Sequence, residues 1–299
     1  MSSLLDKRLV LVTGKGGVGK TTVTAALGLV AVRRGKRVVL CEVAEQTRLG
    51  GMLEPLPEED LDVVSVDPER AKREWLSYQL KSRTLAGLLT ASGLFQYLTA
   101  AAPGLTELVT MGKIWDLSQL SPRTGGPGYD LTIVDAPATG HGLAMLRAPS
   151  TYASIARVGP VGRHAERIDS FIRDPALTGV LTVALPEEMP VNETVEFERA
   201  LQRELNISID LIVVNALHPS RFDKDDMRRL DDTEGAGKVA RAAIEAARSE
   251  HRRAHAERLQ VRRLRRAASA PVHTLPRVFE PELGHEHLER LSAELERRL

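Results

Sequence analysis

Nine consecutive residues, Gly14-Lys15-Gly16-Gly17-Val18-Gly19-Lys20-Thr21-Thr22, gather the groups that a polyphosphate needs. Glycines free successive backbone N–H groups to turn inward around phosphate oxygens, where a Cβ would collide with them. Lys20 supplies a charge for the β- and γ-phosphates. Thr21 supplies a hydroxyl for Mg²⁺, a hard cation that shares an octahedral oxygen shell among protein, phosphate and water. The chemistry implied is the binding of a nucleoside triphosphate with Mg²⁺. Such a loop works only between a strand and the start of a helix, whose macrodipole adds to the attraction. Leu9-Val10-Leu11-Val12 provides the strand, and the helix-forming residues 22–34 provide the helix.

A second chemical group stands at the end of Tyr129-Asp130-Leu131-Thr132-Ile133-Val134-Asp135, an apolar, β-forming run that delivers a carboxylate. In an open parallel sheet, ligands sit beyond the carboxyl ends of the strands. Asp135 is therefore expected beside Thr21, the two forming the metal site. Apolar runs near residues 8–13, 37–43, 61–66, 129–135, 179–185, 209–215 and 271–275 predict seven strands with helices between them. That alternation predicts an α/β fold with a mostly parallel central sheet flanked by helices. Three intervals, 67–128, 144–178 and 217–270, are too long for simple crossovers and are read as helical insertions in one domain spanning 1–299.

Composition narrows the classes. The 41 Lys and Arg residues nearly balance the 40 Asp and Glu, so no nucleic-acid partner is expected for the chain as a whole. A single cysteine, Cys41, excludes an intrachain disulfide framework and suits the cytoplasm. Residues 1–8 are too short and polar for a signal peptide.

The loop GKGGVGKTT resembles the deviant P-loop of the family that contains MinD, ParA, the nitrogenase iron protein, the arsenite-pump ATPase ArsA and the tail-anchored protein targeting ATPase. Asp135-Ala136-Pro137-Ala138-Thr139-Gly140-His141-Gly142-Leu143 is similar to the switch II segment of the ArsA and tail-anchored targeting branch, a form that MinD and ParA lack. The resemblance implies an ATPase that converts ATP to ADP and phosphate, with ATP and Mg²⁺ as its ligands. It implies nucleotide binding by Gly14 to Thr22, with Lys15 reaching across a dimer interface to the partner's nucleotide. Lys15, Lys20 and Asp135 become the catalytic set. Pro186-Glu187, Glu193-Thr194 and Arg199 resemble the family's PE and ETxR elements. The resemblance gives Asn215, at the end of its strand, the adenine ring, for which its amide has both donor and acceptor. Residues 272–284, including Pro276, fall in the place of the adenine loop.

One family element is missing. The water-positioning aspartate of switch I falls on Ala44 when Val38-Val39-Leu40 is laid on the corresponding strand, leaving Glu45 or Glu42 as substitutes. Hydrolysis is therefore expected to be slow or partner-dependent, because a misplacement of about 1 Å can cost a hundredfold in rate. No zinc is expected, since the shared CxxC pair of eukaryotic targeting ATPases has no counterpart; the chain reads as a bacterial member.

The insertions carry the remaining possibilities. Residues 84–106 hold no charge yet are interrupted by glycine and proline, and read either as buried core helices or as an apolar groove for a client. Eight arginines between Arg248 and Arg266 read as a solvated helix, with Glu245, Glu250 and Glu257 offering local compensation. The expected partners are a second copy, or a paralogue in a heterodimer, together with a membrane-protein client or a membrane subunit; the cargo itself is not identified by the sequence. Two other readings stay open: a MinD or ParA-like positioning module using the arginine-rich helix, and a nucleotide-holding subunit beside an active paralogue.

Overall fold

The computed structural model describes residues 4–43, 48–54, 60–80, 104–123, 126–156, 159–232, 237–280 and 283–299. Seven strands form one all-parallel sheet: β1 (Leu9–Gly14), β2 (Val38–Val43), β3 (Leu61–Val66), β4 (Leu131–Ala138), β5 (Thr178–Ala184), β6 (Leu211–Leu217) and β7 (Val272–Pro276). Their order is β3-β2-β4-β1-β5-β6-β7. The α/β class and all seven strand positions agree with the sequence pattern. β1, β2 and β5 are buried at every residue, which is why they read as continuous apolar runs: a parallel sheet is covered on both faces.

Alternate strand residues point into two cores. Val10, Val12, Leu40, Ile133 and Val213 meet helix α1 (Lys20–Arg33), α2 (Arg48–Leu53) and the last helix, α10 (His285–Glu296). Leu9, Leu11, Cys41, Val134 and Val214 meet the opposite layer. That layer holds α4 (Leu105–Leu117), α5 (Thr139–Ile155), α6 (Pro160–Arg173) and α7 (Glu188–Leu205), with α3 (Pro68–Leu80) packed on α4. The 217–270 interval holds α8 (Lys224–Asp231) and α9 (Lys238–Ala267). α9 anchors through Ala254, Val261 and Leu264, while residues 238–253 bury no side chain fully.

α1 is the helix that matters most for the site. Its Ala- and Leu-rich sequence favours helix, and Val23, Leu27 and Val30 are fully buried at about 1.5–3 kcal/mol each. Gly28 lets it approach β2, since a Cβ there would sit 2.9 Å from the Leu40 side chain. Arg33 fastens the far end to Glu289 at 3.0 Å and Glu296 at 3.2 Å on α10. Cys41 is wholly buried, and that burial pushes its thiol up to about 12. Residues 84–103 of the uncharged run lie outside the described residues; its last residues open α4.

Candidate functional site

Strand order reverses around β1, which lies between β4 and β5, and the glycine loop leaves its carboxyl end. Gly17 and Gly19 adopt positive φ, +81° and +89°, a left-handed backbone that side chains strongly disfavour. Gly19 caps α1 with no side-chain hydrogen bond, so no side chain competes for the first amides of a fourteen-residue helix. A Cβ on Gly14 would run into the Val183 carbonyl, and one on Gly19 into the Asn215 amide. Lys20 folds back over the loop, its Nζ donating to Gly14 O at 3.2 Å and Lys15 O at 3.1 Å. Burial lowers its pKa, partly opposed by the charge of Asp135.

Thr21 and Asp135 meet as expected: the Thr21 hydroxyl donates to Asp135 Oδ2 at 2.6 Å. Asp135 is 6% exposed, and its Oδ1 is buried without a hydrogen-bond partner. Burial raises the carboxyl pKa first; Thr21's hydrogen bond and Lys20's charge pull it down, while nearby Glu42 raises it. An unsatisfied carboxylate oxygen beside a hydroxyl, with a cation a short way off, is a hard-oxygen donor set that fits Mg²⁺. Beyond Asp135, β4 gains one residue against β1: Val12 pairs with Asp135, whereas Gly14 pairs with Ala138. At the bulge Thr13 of β1 donates to Pro137 O at 3.2 Å, and the chain passes into α5, where a Cβ on Gly142 would sit 2.9 Å from the Thr13 hydroxyl.

A family model described as Anion-transporting ATPase matches residues 7–158 and 155–251. The chain belongs to the anion-transporting ATPase family. It is similar to the ATPase BagA of Mycobacterium tuberculosis, 30% identical over 257 residues that cover 81% of this chain and 75% of that protein. It is also similar to the ATPase GET3C of Arabidopsis thaliana, at 22% identity over 275 residues, 73% of this chain and 69% of the plant protein. A putative arsenical pump-driving ATPase of Halobacterium salinarum is 24% identical over 243 residues, covering 73% of this chain and 36% of that protein. A family of ATPases accounts for a loop and carboxylate arranged in this way.

Other members of the predicted set of this ATPase are placed less simply. Lys15 turns to its own chain, its Nζ 2.6 Å from Glu193 Oε1 and 2.6 Å from Met189 Sδ on α7. Glu42 is buried opposite Asp135 in the sheet register, and its Oε1 accepts the Leu49 N–H of α2 at 2.8 Å. Ala44 and Glu45 lie outside the described residues. Asn215 reaches the glycine loop, Nδ2 donating to Val18 O at 3.1 Å. Pro276 ends β7 opposite Leu217, on the same side of the sheet.

Sequence reasoning passed over what surrounds Asn215. β6 carries one residue more than β7 there, since Val214 pairs with Thr274 but Leu217 with Pro276. The extra residue is accommodated with Ala216 at φ +57°, a left-handed conformation that costs an alanine about 1–2 kcal/mol. Glu257, read from sequence as compensation for neighbouring arginines, instead turns inward to His218, because the main-chain N–H there continues past the ladder and needs an acceptor. No sequence signal links two residues 39 positions apart. Among the described residues, no cluster of three or more metal-ligating side chains occurs, and no helix is long and apolar enough to cross a membrane.

Proposed function

We propose that this chain is a Mg·ATP-dependent switch of the ArsA and tail-anchored targeting branch, working in the cytoplasm as a homodimer or beside a paralogue and coupling its nucleotide cycle to a client or membrane partner. The observation that carries the reading is the Thr21–Asp135 pair with Lys20 above the glycine loop. Mg·ATP, when bound, supplies the phosphoryl group and the cation that offsets its charge. The chain's own residues do the rest. Gly14 to Thr22 hold phosphate oxygens through the loop and the uncapped helix end, and Lys20 stabilises the charge that develops on them. Thr21 and Asp135 hold the cation's side of the cradle, while Asn215 and the segment after Pro276 receive the base. The bulged segment from Asp135 into α5 is the element that responds to the γ-phosphate, as two-state switch segments do.

Lys15 belongs to the partner's nucleotide in this reading and exchanges Glu193 for it on association. Light scattering with a non-hydrolysable ATP analogue tests this. Wild type should associate on adding nucleotide and Mg²⁺, and Lys15→Ala should bind nucleotide with near-unchanged affinity yet associate at least about tenfold more weakly, as expected when a charge-assisted phosphate contact is lost. Equal nucleotide-dependent association of the two proteins would refute the role of Lys15 across the interface, and no association of wild type would refute the dimeric switch.

A further inference from the structure

The end of β6 is held from three directions. Toward β1, Asn215 Nδ2 donates to Val18 O at 3.1 Å. Toward β7, Arg277 N donates to Leu217 O at 2.9 Å. Toward α9, one carboxylate takes two polar groups of His218: Glu257 Oε2 accepts its backbone N–H at 2.9 Å, and Glu257 Oε1 lies 2.6 Å from its Nδ1. His218 is 4% exposed, and its ring stands edge-on to Phe279 with centroids 5.8 Å apart. Ala216, at positive φ, sits in the middle of this arrangement. A strained residue of that kind persists only where its surroundings over-determine it.

The bulge has a chemical consequence for Asn215. Val18 O can only accept, so the amide must turn its nitrogen to the loop, which leaves Oδ1 as an acceptor. An amide oriented this way, with Oδ1 and its second Nδ2–H both free, matches a base edge that pairs an exocyclic amino group with a ring-nitrogen acceptor, and sets Oδ1 against the keto oxygen of a base that carries one there. We infer that Glu257 and His218 are positioning residues for nucleobase selection, holding the bulge of β6 so that Asn215 presents its acceptor to adenine and discriminates against 6-oxopurines. The inference rests on the reading of Asn215 as the base-contacting residue. It gives the arginine-rich helix α9 a role inside the nucleotide site through one inward-facing carboxylate.

Calorimetric titration of the full chain with ATP, ITP and inorganic tripolyphosphate, each with Mg²⁺, separates the possibilities. Wild type should prefer ATP to ITP by roughly tenfold, the worth of one well-made hydrogen bond against a repulsive one. Glu257→Ala should lower that ratio at least threefold while tripolyphosphate affinity stays within about twofold. Glu257→Gln, which keeps an acceptor for the His218 N–H, should retain most of the preference and guards against loss of folding. If Asn215→Ala removes the preference but Glu257→Ala leaves it intact, the positioning role is overturned and the Asn215 reading stands. If Asn215→Ala leaves the preference intact, the Asn215 reading falls and takes this inference with it. Equal losses for tripolyphosphate and ATP in Glu257→Ala would mark a general structural effect and also overturn it.

Discussion

The two ends of the nucleotide site are built in opposite ways. At β1 and β4 most of the chemistry is contiguous: nine consecutive residues supply amides, Lys20 and Thr21, and only Asp135 comes from elsewhere, 114 positions away, to meet Thr21 at 2.6 Å. At β6 and β7 it is assembled from a distance, with Asn215 on one strand, His218 just past it, Glu257 on α9 and Phe279 beyond the last strand. Both ends use a one-residue bulge, in β4 after Asp135 and in β6 after Val214. The first bulge follows Asp135 and lets the chain leave the sheet; the second encloses Asn215, the amide proposed to meet the base. A site built from a contiguous loop tolerates changes in its surroundings, whereas one built from tertiary contacts inherits every change in the elements that hold it.

The largest expected effect tests that contrast directly. Lys20→Ala should weaken ATP and tripolyphosphate alike by more than about a hundredfold, because it removes the charge at the phosphates regardless of the base. Changes around Asn215 should be roughly tenfold at most and visible only with a base attached. Calorimetry in which Lys20→Ala costs less than Asn215→Ala would reverse the assignment of affinity to one end and selectivity to the other.

The same contrast explains what was legible in the chain. The strands could be read because both faces of the sheet are covered, so Leu9 to Val12, Val38 to Cys41 and Leu211 to Val214 are unbroken apolar runs. The P-loop could be read because its residues are contiguous, and Asp135, 114 positions from Thr21, because a carboxylate ending a buried parallel strand emerges at the same carboxyl edge of the sheet. The insertion at 217–270 was legible as helix, since alanine and arginine favour it, but the inward turn of Glu257 was not: a glutamate among arginines looks like surface compensation, and only the unpaired N–H at the end of β6 explains it. The bulge in β6 leaves no mark in the sequence, for Ala216 has no glycine to announce its positive φ. Glu193 was legible as part of a motif but not as the acceptor of Lys15, because that contact crosses 178 positions.

The second prediction, of intermediate size, concerns the edge of the phosphate end. Glu42, one candidate for positioning water, has its Oε1 engaged by Leu49 N–H and is 2% exposed. If Ala44 occupies the switch I position, as the resemblance implies, a carboxylate placed there, one residue past β2, should supply the water-positioning group. Ala44→Asp is expected to raise kcat about tenfold to a hundredfold with ATP affinity within about twofold, the signature of a group that acts in the transition state. A steady-state phosphate-release assay checks it. Should Ala44→Asp gain nothing while Glu45→Gln abolishes turnover, the water-positioning role belongs to Glu45.

The smallest expected effect belongs to the Lys15–Glu193 pair, through which a P-loop side chain behaves like the distant end of the site. Its partner Glu193 is on α7, and both groups of the pair remain about a third exposed, at 32% and 34%. An ion pair so exposed is worth about 0–1 kcal/mol, because water already solvates both charges and salt screens them. If Lys15 must leave Glu193 to reach a second subunit's nucleotide, Glu193→Gln should strengthen nucleotide-dependent association by no more than about fivefold, the factor that 1 kcal/mol represents. The gain should shrink as ionic strength rises, since the contact it removes is itself weakened by salt. Sedimentation equilibrium with a non-hydrolysable analogue at low and high salt measures both quantities. An unchanged dimer constant would show that the pair does not compete with association, whereas a loss would mean that Glu193 contributes to the interface and that Lys15 and Glu193 act there together.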